Sequence, residues 1–366
     1  MAGVTEKPEE RKATEVELAE PTLGTEAELD TLRHHGDVEA SVGLIDFAVN
    51  VQGAEPPAWL RDRLAATLAD LARYPTAEHD RRAREAVARR HGRDPAEVLV
   101  LAGSAEGFAL LPALRPRRPV VVHPGFTEPE AALRGAGLSV ERVLTGGDHR
   151  LDPAAVPEGA DLVVVGNPTN PTGVLHPAAD LRRLVRPGRV VLVDEAFADA
   201  VPGEPETLAG DSDVLVFRSL TKTWALAGLR AGYALGPPEV LARLAAPRPH
   251  WPVSTLALEA VIACSEPAAV AEAAALADRL AGHREWQSAA LAAVAGLEVL
   301  PGVAPYLLVR GPVGLRERLR ERGIAVRRAD TFPGLGPEYV RIAVRPPEQA
   351  AVLVEALREL LVGVAT

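Results

Sequence analysis

Short runs of Val and Leu, unbroken by charge, recur through the first two thirds of the chain: Val98 to Leu101, Val120 to Val122, Leu162 to Val165, Val190 to Val193 and Val214 to Phe217. A strand that is apolar at every residue, not at every second one, has no face to offer water, so such runs belong in a sheet covered on both sides. Amphipathic stretches such as Pro177 to Val185 separate them. Strand and helix patterns in alternation predict an α/β fold with mostly parallel strands. After the proline-rich stretch Pro247 to Pro252 the pattern changes to long helical sequence over Ser254 to Ala295, then to strand-like Tyr306 to Val309 and Tyr339 to Val344. That change predicts a second, smaller α+β domain.

A chain of 366 residues has room for both. The expected division is an acidic extension over 1–33, a segment over 34–59 that packs with the small domain, a large domain over 60–247 and a small domain over 248–366. The first 33 residues hold nine acidic and four basic side chains and no apolar run. That is the reverse of an export signal, and the extension is expected to be mobile. The alanine-rich stretch Ala268 to Ala277 is interrupted by Glu272 and falls short of the roughly 20 apolar residues of a membrane helix. A net charge of -10 argues against nucleic acid as a partner. Cys264 is the only cysteine, which excludes an intrachain disulfide, gives no sign of a metal cluster and points to a reducing, cytoplasmic setting.

Chemistry concentrates in a few stretches. Arg218-Ser219-Leu220-Thr221-Lys222-Thr223-Trp224 ends an apolar strand, and Arg230 follows eight residues after the lysine. Neighbouring cations help a lysine lose its proton and attack a carbonyl, and a guanidinium can grip a phosphate with two parallel bonds. Asp194 stands at the carboxyl end of Val190 to Val193, where it reads equally as a site acid and as the cap of a following helix. Gly166 to Gly173 contains two Asn-Pro pairs, a constrained loop able to aim the amide of Asn170. Ala102 to Gly107 follows a strand and opens a helix, so the first amides, those of Ser104 and Ala105, are offered to an anion. Phe126 follows the next strand. Near the C-terminus, Tyr339 to Val344 alternates like a strand with Arg341 on one side, and Arg327 lies fourteen residues earlier. Planar guanidinium groups suit carboxylates.

Ser219-Leu220-Thr221-Lys222, then seven residues, then Arg230, resembles the cofactor-lysine motif of the fold-type-I pyridoxal 5'-phosphate (PLP) aminotransferases. The resemblance implies their fold, with a mostly parallel seven-stranded sheet flanked by helices in the large domain. It implies PLP joined to Lys222 as an imine, with Ser219, Arg230, Ser104 and Ala105 at the cofactor phosphate. Asp194 would face the pyridine nitrogen, Asn170 the phenolate oxygen and Phe126 the ring. Many relatives have tyrosine where Phe197 stands. Arg341 resembles the family's substrate-carboxylate arginine and Arg327 a second substrate arginine.

Within this superfamily His34 to Asp37, Asp46 to Asn50, Arg73-Tyr74-Pro75, Asp194 to Phe197, Arg218 to Lys222 and Thr331 to Leu335 resemble the L-threonine-O-3-phosphate decarboxylases of cobalamin synthesis, relatives of histidinol-phosphate aminotransferase, and Phe197 in particular fits that branch. The likeness spans His34 to Leu361 and puts Asn50 on the substrate side. In that branch the tyrosine of the Tyr-Pro pair reaches the cofactor phosphate of the neighbouring subunit, so Tyr74 implies a homodimer with shared sites. The chain departs from the branch at Asp37, where His-Gly-Gly is frequent, and at Gln52-Gly53, where Asn-Pro is frequent. The activity expected on this basis is decarboxylation of a phosphorylated amino acid, L-threonine 3-phosphate. The alternative is transamination of histidinol phosphate or another amino acid against 2-oxoglutarate. A regulator that only binds the cofactor would need a DNA-binding module, for which the short acidic extension has no room.

Overall fold

The computed structural model describes residues 25–362. Most of the acidic extension, 1–24, lies outside the described residues. Its last part forms the helix Glu26–Leu32, started by a capping box between Thr25 and Glu28, and Leu32 is buried.

In chain order the strands are β1 (Ile45–Phe47), β2 (Val98–Leu101), β3 (Pro119–His123), β4 (Glu141–Leu144), β5 (Leu162–Gly166) and β6 (Val190–Asp194). They continue with β7 (Leu215–Ser219), β8 (Gly232–Leu235), β9 (Glu298–Val299), β10 (Tyr306–Arg310), β11 (Ile324–Arg328) and β12 (Tyr339–Ala343). Seven of them form one sheet in the order β2-β8-β7-β6-β5-β3-β4. Pairing is parallel from β7 through β6, β5 and β3 to β4, and antiparallel on both sides of β8. Of the uniformly apolar strands, β3, β5, β6 and β7 lie inside the sheet and β2 at its edge, and helices cover both faces. One such helix, Ala77–His91, starts where Thr76 accepts the His79 amide and stops at Gly92 in the left-handed region, the residue type that takes that conformation without steric cost.

The other five strands form a second sheet in the order β1-β11-β12-β10-β9. β1 comes from the N-terminal segment and pairs parallel with β11. The two cores meet along the 26-residue helix Pro267–Ala292. Ala269 and Ala273, near its start, pack with the large sheet, and Leu291, near its end, with the small one. Side chains from Val253 to Cys264 also belong to the large-sheet core, so that core continues past Pro247. Among the described residues no single helix is long and apolar enough to cross a membrane. The one helix pair that passes by length and composition, Thr255–Cys264 with Pro267–Ala292, is bent by 74°.

Candidate active site

In an open sheet of parallel strands, ligands gather at the carboxyl ends, where the loops spread apart. Asp194 ends β6, Ser219 ends β7 and Gly166 ends β5. Leu101 leads from β2 into Gly103 and Ser104, and His123 leads from β3 towards Phe126. Fold topology therefore collects the sequence motifs on one edge.

Lys222 follows β7 by three residues, and its carbonyl accepts the Gln52 amide at 2.9 Å. Burial, followed by Arg341 and Arg230, pushes the Lys222 ammonium down to about 8, while Asp194 and Asp37 pull the other way. The sequence reading credited neighbouring cations; desolvation is the larger cause. Asp194 is pushed up to about 7 by burial, with Glu195 adding to the rise and the Ala196 amide and Lys222 opposing it. Its Oδ1 accepts that Ala196 amide at 3.1 Å.

The phosphate-side residues meet through two glycines. Gly103 has φ +79°, and a Cβ there would come within 2.8 Å of Arg230 Nη2; at Gly232 it would come within 3.1 Å of the Ser104 nitrogen and 2.6 Å of the Arg218 carbonyl. Gly232 is paired in register with Ser219. Arg230, Ser219 and the start of the helix Ser104–Leu110, which no side chain caps, are thereby gathered, with Ala105 next in the chain. Ser219 Oγ also bonds Thr221 Oγ1 at 2.7 Å. Phe126 is half-buried, with His35 at 5.5 Å and Phe108 at 5.7 Å between ring centroids.

On the other side, Arg327 and Arg341 are direct cross-strand partners on β11 and β12, and both are buried. Burial first, then the like charge of Arg341, pushes Arg327 down to about 9; burial pushes Arg341 to about 10. Arg341 Nη1 donates to Asn170 Oδ1 at 2.7 Å and Nη2 to the Ala48 carbonyl at 2.5 Å. Arg327 donates to the His34 carbonyl at 2.5 Å and to Thr331 at 2.7 Å. Asn50 is 3% exposed, and both its amide atoms lack a partner. A buried unpaired amide is costly, and a polar ligand would relieve it.

Tyr74 stands apart. It is 71% exposed and stacks on Trp251 at 4.1 Å, outside the cluster just described. The sequence reading missed Tyr306, seen there only as the start of a strand. Its hydroxyl donates to the Thr169 carbonyl at 3.0 Å, its ring meets Phe197 edge-on at 5.0 Å, and the Arg341 guanidinium lies 5.5 Å from its centroid. A tyrosine in strand alternation looks like any core aromatic, so only the pairing of β10 with β12 could reveal it.

The residues present fit PLP: a buried amine with a lowered proton affinity, a buried acid, and an arginine packed against glycines at a helix start. Residues 42–357 match the model of the class I and II aminotransferases. The chain belongs to that PLP-dependent family, and its fold is that of the fold-type-I transferases. It is 56% identical over 342 residues, 91% of this chain and 93% of the other, to a histidinol-phosphate aminotransferase of Mycobacterium tuberculosis. Identity to the threonine-phosphate decarboxylase of Salmonella typhimurium is 32% over 339 residues, 88% and 92% of the two chains. The crystal structure of the histidinol-phosphate aminotransferase of Clostridium acetobutylicum superposes with a TM-score of 0.79 at 22% identity, covering 87% of this chain and 99% of that one.

These relationships overturn the expectation of a threonine-phosphate decarboxylase. The far higher identity is to proteins named as aminotransferases. The expectation rested on short stretches such as His34 to Asp37, Asp46 to Asn50 and Thr331 to Leu335, which cover a small part of the chain, whereas the 56% identity runs over 91% of it.

Proposed function

We propose that this protein transfers an amino group from histidinol phosphate, or a closely similar phosphorylated amine, to 2-oxoglutarate. The observation that carries the reading is the buried pair of opposed guanidiniums, Arg327 and Arg341. Two like charges facing each other across adjacent strands repel, and an anionic ligand between or beside them removes that penalty. A phosphate on one substrate and carboxylates on the other supply such anions in turn. The names of the 56% identical relatives support the same choice.

In this reading PLP, when bound, supplies the electron sink for the pair released at the substrate α-carbon. Lys222 anchors it and is the base that takes the α-proton, a role suited to an amine whose proton affinity burial has lowered to about 8. Asp194 would pair with the pyridine nitrogen and keep a proton on it. Arg230, Ser219 and the amides of Ser104 and Ala105 would hold the cofactor phosphate, Asn170 would donate to its phenolate oxygen and Phe126 would pack on its ring. Arg341 takes the carboxylate of 2-oxoglutarate, Arg327 the substrate phosphate, and Asn50 spends its unpaired amide on the substrate.

The same reading includes a homodimer. Tyr74, Trp251, Leu68 and Leu71 are all exposed, an apolar surface that supports coverage by a second copy, with Tyr74 reaching the partner's cofactor phosphate. Sedimentation velocity should give a dimer.

A half-reaction tests the function. Histidinol phosphate added to the holoprotein without any keto acid should convert the bound cofactor to its amino form within one turnover and stop. Absence of that spectral change would remove the proposal.

A further inference from the structure

A second charged cluster lies one residue behind the first. Glu195 follows Asp194, and Arg218 precedes Ser219. Arg218 is 1% exposed and commits its whole fork: Nε to Glu195 at 3.0 Å, Nη1 to Asp199 at 2.6 Å, and Nη2 to Glu204 at 2.5 Å and to Thr207 at 2.8 Å. Glu195, also 1% exposed, further accepts the Thr207 hydroxyl at 2.7 Å and the Leu208 amide at 2.6 Å. Arg90 brings a second guanidinium to Asp199 at 2.8 Å. The acids outnumber the guanidiniums, and every group in the cluster is satisfied.

Buried ion pairs of this kind contribute little net stability relative to apolar packing of the same volume. This one sits where charge matters. The turn bearing Asp194 and Glu195 is tied to its neighbouring strands by the Glu195 amide to the Phe217 carbonyl at 2.9 Å and the Asn167 amide to the Asp194 carbonyl at 2.8 Å. Burial pushes the Glu195 carboxyl up and the Arg218 guanidinium pulls it down; without Arg218, three acids, Glu195, Asp199 and Glu204, would be left with the Arg90 guanidinium alone in a desolvated region beside Asp194. The Glu195 side chain would also lose the partner that fixes the turn.

We propose that Arg218 is a positioning residue for the cofactor-side acid: by pairing with Glu195 it fixes the turn that carries Asp194, and its charge offsets the excess of acids, Glu195, Asp199 and Glu204, gathered behind that turn. This rests on the reading of Asp194 and Lys222 as the cofactor pair. Arg218 touches no reacting atom; it acts through its neighbours.

The test uses Arg218→Met, Glu195→Gln and the double variant. It measures the affinity of each apoprotein for PLP, the pH midpoint of the bound cofactor's visible absorbance, and the urea midpoint of the apoprotein. Arg218→Met should weaken PLP binding about tenfold and raise the pH midpoint by roughly half a unit to one unit, because the acids left without that cation, Glu195, Asp199 and Glu204, favour protonated forms nearby. The double variant should return the midpoint towards the wild-type value even where the urea midpoint stays low, and Glu195→Gln alone should lower it. A purely structural Arg218 would leave the single and double variants with the same pH midpoint, and that result overturns the proposal. Should Arg218→Met fail to fold, Glu195→Gln alone decides: an unchanged or raised midpoint refutes it. Wild-type protein and Lys222→Ala serve as controls. A wild type without a pH-dependent absorbance that Lys222→Ala abolishes would instead refute the cofactor reading.

Discussion

The cofactor side and the substrate side of this site are built on opposite terms. Around Asp194 and Ser219, successive strand ends of one sheet hold groups whose charges are compensated from behind, as Arg218 compensates Glu195. Around Arg327 and Arg341, two guanidiniums oppose each other across adjacent strands, and Asn50 has no partner for its amide. In the first region the buried guanidinium is paired with carboxylates; in the second the guanidiniums donate only to neutral groups and Asn50 is unpaired. A site that must hold one molecule permanently and exchange two others gains from that division, because unpaired polar groups are relieved when a substrate arrives.

The sharpest way to break this comparison is to remove the anchor. Lys222→Ala should lower turnover by at least about a thousandfold and abolish the visible absorbance of the holoprotein, since both anchor and base are gone; single-turnover absorbance spectroscopy reads both. Arg341→Lys and Arg327→Lys should come next. Each replaces a planar fork by a point charge and should raise KM for its anionic substrate by roughly 10- to 100-fold. PLP affinity should stay within about twofold, because in this account neither arginine holds the cofactor. A variant that lost PLP in proportion to substrate would erase the distinction between the two regions.

The smallest effect is on the stability of the apoprotein. Asp194 has its carboxyl raised from 3.8 to about 7, chiefly by burial. A raised carboxyl favours the folded state while protonated, so that contribution is complete below about pH 4 and is lost as pH rises through about 7. The resistance of the apoprotein to urea should therefore fall between about pH 4 and 7, and Asp194→Asn should flatten that slope. An unchanged slope would mean that the carboxyl is not desolvated as the structure has it.

How much of this was legible beforehand follows the same line. Asp194, Asn170, Lys222 and Arg230 could be picked out because each sits at a fixed place relative to a strand end, and runs such as Val190 to Val193 make those ends visible. Gly103 and Gly232 could not be seen as a pair, since their closeness comes from β2 lying antiparallel to β8. The direct opposition of Arg327 and Arg341 likewise depends on the register of β11 with β12, which no local pattern specifies. Tyr306 stayed hidden for the same reason. The reaction was misread because short stretches stood for the whole chain; in the proposed reading substrate choice rests on these long-range pairings.

The most direct measurement of the central claim is steady-state glutamate formation from histidinol phosphate by the purified holoprotein, with and without 2-oxoglutarate. The account predicts glutamate in amounts equal to the histidinol phosphate consumed, and no turnover beyond one equivalent when the keto acid is withheld. Continued consumption without 2-oxoglutarate, or no glutamate in its presence, would contradict it.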